Sequence, residues 1–139
     1  MKTGSQIQGD IYALIKADTA LCTGISGGVY RDGYRPRDSR LEDIVVIFTE
    51  GSVGDIDTGT VTVNIYVPDI DSFSNGVMVQ DGARTAQLEA LAAAWVESLT
   101  ANRSNYLFHL TQTIYTEADA EINQHFVVVS LKYKYYDKV

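Results

Sequence analysis

The residue types that catalysis uses are sparse in this chain. It holds one cysteine, Cys22, and two histidines, His109 and His125. A thiolate activated by an imidazole makes a nucleophile, but no local signature of such a pair surrounds any of the three. His109 falls in an alternating run and is expected on a sheet face; His125 stands beside a turn and is expected in solvent. Asp55 and Asp57 form an Asp-x-Asp pair, as do Asp69 and Asp71. Hard-cation loops need several oxygen ligands at fixed spacing around a glycine bend. After the first pair Gly59 comes one residue too early, and after the second Phe73 stands where a ligand belongs. Zinc fares worse, since one Cys and two separated His do not make a four-ligand site. The run Gly24-Ile25-Ser26-Gly27-Gly28 is glycine-rich but follows a helix and lacks the Lys-Ser/Thr ending of a phosphate loop. No catalytic residue, metal ligand or cofactor is therefore expected.

Charge gives the sharper signal. Four of the 11 basic residues (Arg31, Arg35, Arg37 and Arg40) sit in one stretch, next to Tyr30 and Tyr34. Arg and Tyr are the types enriched where proteins meet, because they combine large planar surfaces with hydrogen-bond donors. Asp32 and Asp38 intervene, so a solvated loop is the bland alternative. From Leu41 to Gly82 the chain carries eight acidic residues and no Lys or Arg. A basic loop followed by an acidic segment suits head-to-tail contact between copies, and pairing within one subunit would explain the same pattern. The candidate interface is thus Tyr30, Arg31, Tyr34, Arg35, Arg37 and Arg40 against Asp55, Asp57, Asp69 and Asp71.

The elements that must position these residues follow from periodicity. Ile7, Ile11, Leu14 and Ile15 recur at helical spacing, with Ser5 placed to cap and an end near Asp18. Residues 23–28 read as loop, Val29-Tyr30 as the start of a short strand, and the Arg-rich stretch through Pro36 as loop. Ile44 to Phe48 is a β-branched strand. Gly51 to Gly59 reads as a turn. Val61, Val63, Ile65 and Val67 then alternate strictly with polar partners, which marks a strand with one buried face. Asp69 to Gly82 reads as a polar loop interrupted by Val77-Met78-Val79. Ala83 to Thr100 is the best helix, with Leu88, Leu91, Trp95 and Leu99 on one stripe and Asn102 as its stop. A strand from Tyr106 to Tyr115, a polar turn from Glu117 to Asn123 and a strand from Phe126 to Tyr135 complete the chain. The expected fold is α+β: a two-layer sandwich with a mostly antiparallel sheet of four to five strands and two helices on one face.

Length and composition agree with one domain over residues 1–139, since domains commonly run to roughly 100–150 residues. A hydrophobic fraction of 45% is too apolar for disorder. The formal net charge of −7 argues against direct nucleic-acid binding and against an anionic membrane surface. No run reaches the roughly 18 apolar residues of a membrane span, no signal-peptide core follows Met1, and a lone Cys22 suits a reducing cytoplasm.

Taken whole, the chain resembles the small phage tail-completion proteins, also called tail terminators or tail-to-head joining proteins. The resemblance lies in the short helix ending Lys16-Ala17-Asp18-Thr19-Ala20-Leu21, then Gly28-Val29-Tyr30 and a Pro-bearing loop. It continues through the strand Ile44 to Phe48, the strand ending Asn64-Ile65-Tyr66-Val67, the Ala/Leu helix, and the closing Leu131-Lys132-Tyr133-Lys134-Tyr135-Tyr136. The Asp69 to Gly82 loop is longer than the family connection. The resemblance implies a non-enzymatic virion protein, assembled in the bacterial host cytoplasm. Its partners would be copies of itself in a ring, typically a hexamer, the tail tube protein, and the neck or connector of the capsid. Another phage neck or minor capsid component of similar fold, or a small monomeric ligand-binding domain or enzyme, are the alternatives.

Overall fold

The computed structural model describes residues 1–101 and 104–136. The helix stop expected at Asn102 lies outside the described residues. Helix α1 (Gly4–Ala17) is followed at once by the short α2 (Thr19–Thr23) and strand β1 (Val29–Arg31). Strands β2 (Ile44–Ser52) and β3 (Asp57–Pro68) lead to helix α3 (Gly82–Ala101). Strands β4 (Tyr106–Leu110), β5 (Tyr115–Asp119) and β6 (Gln124–Tyr135) complete the fold, with one 3₁₀ turn at Ala120–Ile122 before β6.

The fold is α+β, and among the described residues six strands form a single sheet, ordered β1-β2-β3-β6-β4 with β5 paired to β6 beside that path. Every pairing is antiparallel except β1 with β2, which run parallel. β3 covers the whole length of one edge of β6. β4 and β5 therefore share the other edge end to end, β5 against residues 124–128 and β4 against 131–135. The sheet thus has one strand more than expected, because the run from Tyr106 to Tyr115 breaks at residues 111–114 and the supposed turn at Glu117 is strand β5.

One face of the sheet carries the core. Val61, Val63, Ile65 and Val67 of β3 and Val127, Val129, Leu131 and Tyr133 of β6 point to the same side and are buried. Ile7, Ile11 and Ile15 of α1 pack on them at the β1–β2 side. Leu88, Ala92, Trp95 and Leu99 of α3 pack toward β6 and β4. The period-two and period-3.6 stripes meet here, as amphipathic patterning requires.

Local chemistry corrects several boundaries. Thr3, not Ser5, caps α1: its hydroxyl accepts from the Gln6 amide while the Gln6 side chain accepts from the Thr3 amide, a reciprocal capping box. Asp18 ends α1 and starts α2 by accepting from the Leu21 amide, so a second short helix follows the expected helix end and reaches Thr23, the first residue of the expected loop. The β2–β3 turn shrinks to residues 53–56, because Gly51 and Gly59 pair inside the ladder. Their glycines serve close packing rather than turning. A Cβ on Gly59 would stand 2.2 Å from the Glu50 carbonyl oxygen and 2.6 Å from the Tyr133 hydroxyl, well inside contact distance.

Candidate functional site

The connection from β1 to β2, residues 32–43, folds across the end of the sheet that carries Gln124, and Arg35 is its anchor. The guanidinium donates from Nε to Asp43 Oδ2 at 2.8 Å. From Nη2 it donates to the Leu41 carbonyl at 3.1 Å and to Gln124 Oε1 at 2.9 Å. It also lies over the Tyr66 ring, 4.1 Å from the centroid. Asp43 is fully buried and accepts in addition from the Gly28 amide and the Ser39 hydroxyl. Gln124, also buried, donates to the Ser39 carbonyl at 2.8 Å. Each buried charge therefore has several partners, which is the condition for tolerating an ion pair away from water.

The glycine-rich run packs against the same acids. The Gly27 amide donates to the Glu42 carbonyl, the Ser26 amide to Glu42 Oε1 and the Gly28 amide to Asp43 Oδ1. These donors hold carboxylates and carbonyls of their own chain, so the run is no phosphate cradle. Glu42 is clamped further by Arg84 of α3, Nε to Oε2 at 2.5 Å and Nη2 to Oε1 at 2.7 Å. That fork holds the Glu42 carboxyl below its usual range against the opposing effect of burial.

The remaining members of the candidate interface divide between outward and inward. Arg31 leaves β1 on the helix side and sits over the Tyr12 ring at 5.9 Å. Gly9 makes room for it, since a Cβ there would meet the guanidinium at 2.5 Å. Tyr34 is 76% exposed, at a turn where its amide donates to the Arg31 carbonyl and Gly33 takes a positive φ of 88°. Tyr12, Val29, Tyr30, Arg31 and Tyr34 together line an open cleft of about 250 Å³. Arg37 is exposed, and Arg40 is exposed while donating to the Ile122 carbonyl. Among the acids only Asp55 is free on an exposed turn. Asp57 is buried and accepts from the Lys2 amide, and Asp69 pairs with His125 Nδ1 at 2.7 Å. Asp71 spends its carboxylate on the Asn75 and Gly76 amides, both at 3.0 Å. The structure thus commits Arg35, Asp57 and Asp69 within the chain and leaves Arg31, Tyr34, Arg37, Arg40 and Asp55 at the surface.

Apolar side chains make up the part of the surface that the charge pattern did not reveal. The arm between β3 and α3 closes on itself through paired backbone bonds between Ile70 and Val79, both 2.8 Å. Above that bridge Phe73 is 73% exposed, and Val77 and Met78 are exposed beside it. Val53 and Ile56 are exposed at the β2–β3 tip, and Leu107, Leu110 and Tyr115 along the β4–β5 edge. The Val77-Met78-Val79 interruption in a polar loop was the one trace of this in the sequence.

The potential nucleophile and bases lie on separate elements. The Cys22 thiol of α2 is half-buried and donates to the Ile15 carbonyl, His109 is exposed on β4, and His125 of β6 holds Asp69. Among the described residues no group of three His, Cys, Asp or Glu could hold a metal ion. A cleft of about 360 Å³ between α1 and β4 is lined by Lys2, Asp10, Tyr106 and Tyr135 among others. There the Tyr106 hydroxyl donates to Asp10 at 2.6 Å and Lys2 pairs with the same carboxylate, while its ammonium lies 4.8 Å from the Tyr135 ring centre. Burial, reinforced by Asp10, pushes the Tyr106 hydroxyl pKa far above its ordinary value. These groups satisfy one another and tie the N-terminal segment to the β4–β6 end of the sheet. Among the described residues no helix is long and apolar enough to cross a membrane.

No protein-family model matches the chain, and no curated protein matches it. Among solved structures, one whose name states no function aligns over 96% of this chain and 92% of its own, at 16% identity and a TM-score of 0.39.

Proposed function

We propose that this is a structural protein of a phage particle, a tail-completion or terminator protein that assembles as a ring, caps the tail tube and joins it to the capsid neck. The observation that carries the reading is the unequal surface. Three of the exposed cations, Arg31, Arg37 and Arg40, stand on β1 and the loop that leads from it to β2. Exposed apolar side chains cluster on two projections, the 53–56 tip and the 70–79 arm, within a segment that has no basic residue, and others line the β4–β5 edge. Surfaces of opposite character on one chain favour head-to-tail contacts, which close into rings when the rotation permits. In this reading the protein needs no catalytic residue or cofactor, acts in the virion, and touches tail tube and neck rather than nucleic acid or membrane. The resemblance over nearly the whole chain is the second support. Electron microscopy of the protein mixed with tail tubes tests the proposal: one end of each tube gains a ring-shaped cap and stops growing. Tube ends that stay open and continue to polymerise overturn it.

A further inference from the structure

The arm between β3 and α3 is built to hold one aromatic side chain away from its own molecule. The Asp71 carboxylate gathers the Asn75 and Gly76 amides, the Ser74 amide donates to the Asp71 carbonyl, and the Ile70–Val79 bridge closes the base. Ser74 and Gly76 take positive φ values of 54° and 79° to complete the turn. A loop already fixed in one shape loses little further freedom on binding. Phe73 at its tip keeps 73% of its surface exposed, so no site in its own chain receives it.

At the β1 edge lies a site of matching character. The cleft of Tyr12, Val29, Tyr30, Arg31 and Tyr34 has a volume of about 250 Å³. A benzene-sized ring occupies a cavity of about 150 Å³, so one phenyl group fits. The cleft offers aromatic faces and one guanidinium, and none of its five lining residues is acidic. The arm offers Phe73 with Ile70, Val77 and Met78, and carries Asp69, Asp71 and Asp81 with no basic residue. Apolar area meets apolar area, and the Arg31 guanidinium that lines the cleft, next to the exposed Asp32, is opposite in sign to the carboxylates of the arm.

We infer that Phe73 of one copy seats in the Tyr12–Tyr34 cleft of the next, with Arg31 of the cleft facing the acidic arm. The inference rests on the ring reading and names the contact that builds the ring. Knob and cleft are different surfaces, so the contact is heterologous and leaves one free knob and one free cleft on every open chain of copies.

That property supplies the test. Phe73→Ser removes the knob, and Tyr34→Glu places an acid at the mouth of the cleft; both side chains are mostly exposed, so circular dichroism and melting stay as in the wild type. Mass is read by light scattering up to about 1 mM, the range that reveals even a millimolar Kd. The wild type assembles, and each variant alone is monomeric, its association weakened roughly tenfold or more. Mixing the two variants gives a one-to-one dimer and nothing larger, because only one intact knob and one intact cleft remain to meet. Val53→Ser, at the other projection, assembles as the wild type does. Variants that assemble normally, a mixture that stays monomeric, or a wild type that is monomeric at about 1 mM overturns this contact. Normal assembly of the variants leaves the ring reading standing; uncapped tail tubes overturn that reading whatever the variants do.

Discussion

The loop between β1 and β2 and the arm between β3 and α3 are made of similar material: charged residues, serines, glycines and a few aromatic or apolar side chains. They use it in opposite senses. The loop turns its central charge inward, where Arg35, Asp43, Ser39 and Gln124 satisfy one another under Tyr66. The arm uses its acid, Asp71, to shape backbone and turns Phe73, Val77 and Met78 outward. Charge in a loop is therefore no guide to what the loop shows its surroundings. A charge with many internal partners is structural, and an apolar side chain held out on an ordered turn is the stronger mark of a contact surface.

The contrast can be broken first at Arg35. Arg35→Ala leaves Asp43 buried without its cation, so urea unfolding shows a loss of about 3–5 kcal/mol. A loss below about 1 kcal/mol means that the loop is as open as its composition suggests. Asp71→Ala removes the carboxylate that organises the arm and costs about 1–2 kcal/mol. The loss is local, so limited proteolysis cuts within residues 70–79 while the melting of the sheet barely moves. The Glu42–Arg84 clamp gives a smaller and pH-dependent effect. Because the folded carboxyl lies below its ordinary value of about 4.3, its contribution is present above that pH and fades as pH falls through the lowered folded value. Glu42→Gln therefore flattens the acid side of the stability curve by about 1 kcal/mol, read as melting temperature between pH 6 and pH 2. The smallest effects fall at exposed positions. Arg37→Glu and Phe73→Ser change chain stability by less than about 0.5 kcal/mol, and a larger drop in the melting temperature of either would mean that the side chain has a partner in its own chain.

Much of the fold was legible because it depends on local pattern. The stripe Ile7, Ile11 and Ile15 and the alternation from Val61 to Val67 are complete in sequence, and both form the core they describe. What was misread has a tertiary cause. Gly51 and Gly59 look like turn residues, yet they are strand positions kept small by Tyr133, far along the chain. Strand β5 lacks apolar alternation because it is a short edge piece with no fully buried residue, held by pairing with β6 and by the Thr116 hydroxyl, which donates to Glu89 of α3. The arginine-rich loop was conspicuous from its composition alone. Which arginine faces inward was not, because the answer lies with Gln124 and Tyr66, brought close only by the folded sheet.

The sheet itself limits how copies of this chain can meet. A long bare strand at a sheet margin is a template on which other strands add without limit. Here β1 covers only residues 44–46 of β2 and, among the described residues, leaves 47–52 without a partner strand on that side, in a stretch whose register shifts between Phe48 and Glu50. The other margin is divided into β4 and β5 of five residues each with a gap between them. Both margins are interrupted, and breaks and register shifts of this kind hinder continuous strand addition. Such margins favour contacts between side chains that fit one another, which can be counted and closed, over open-ended stacking of strands.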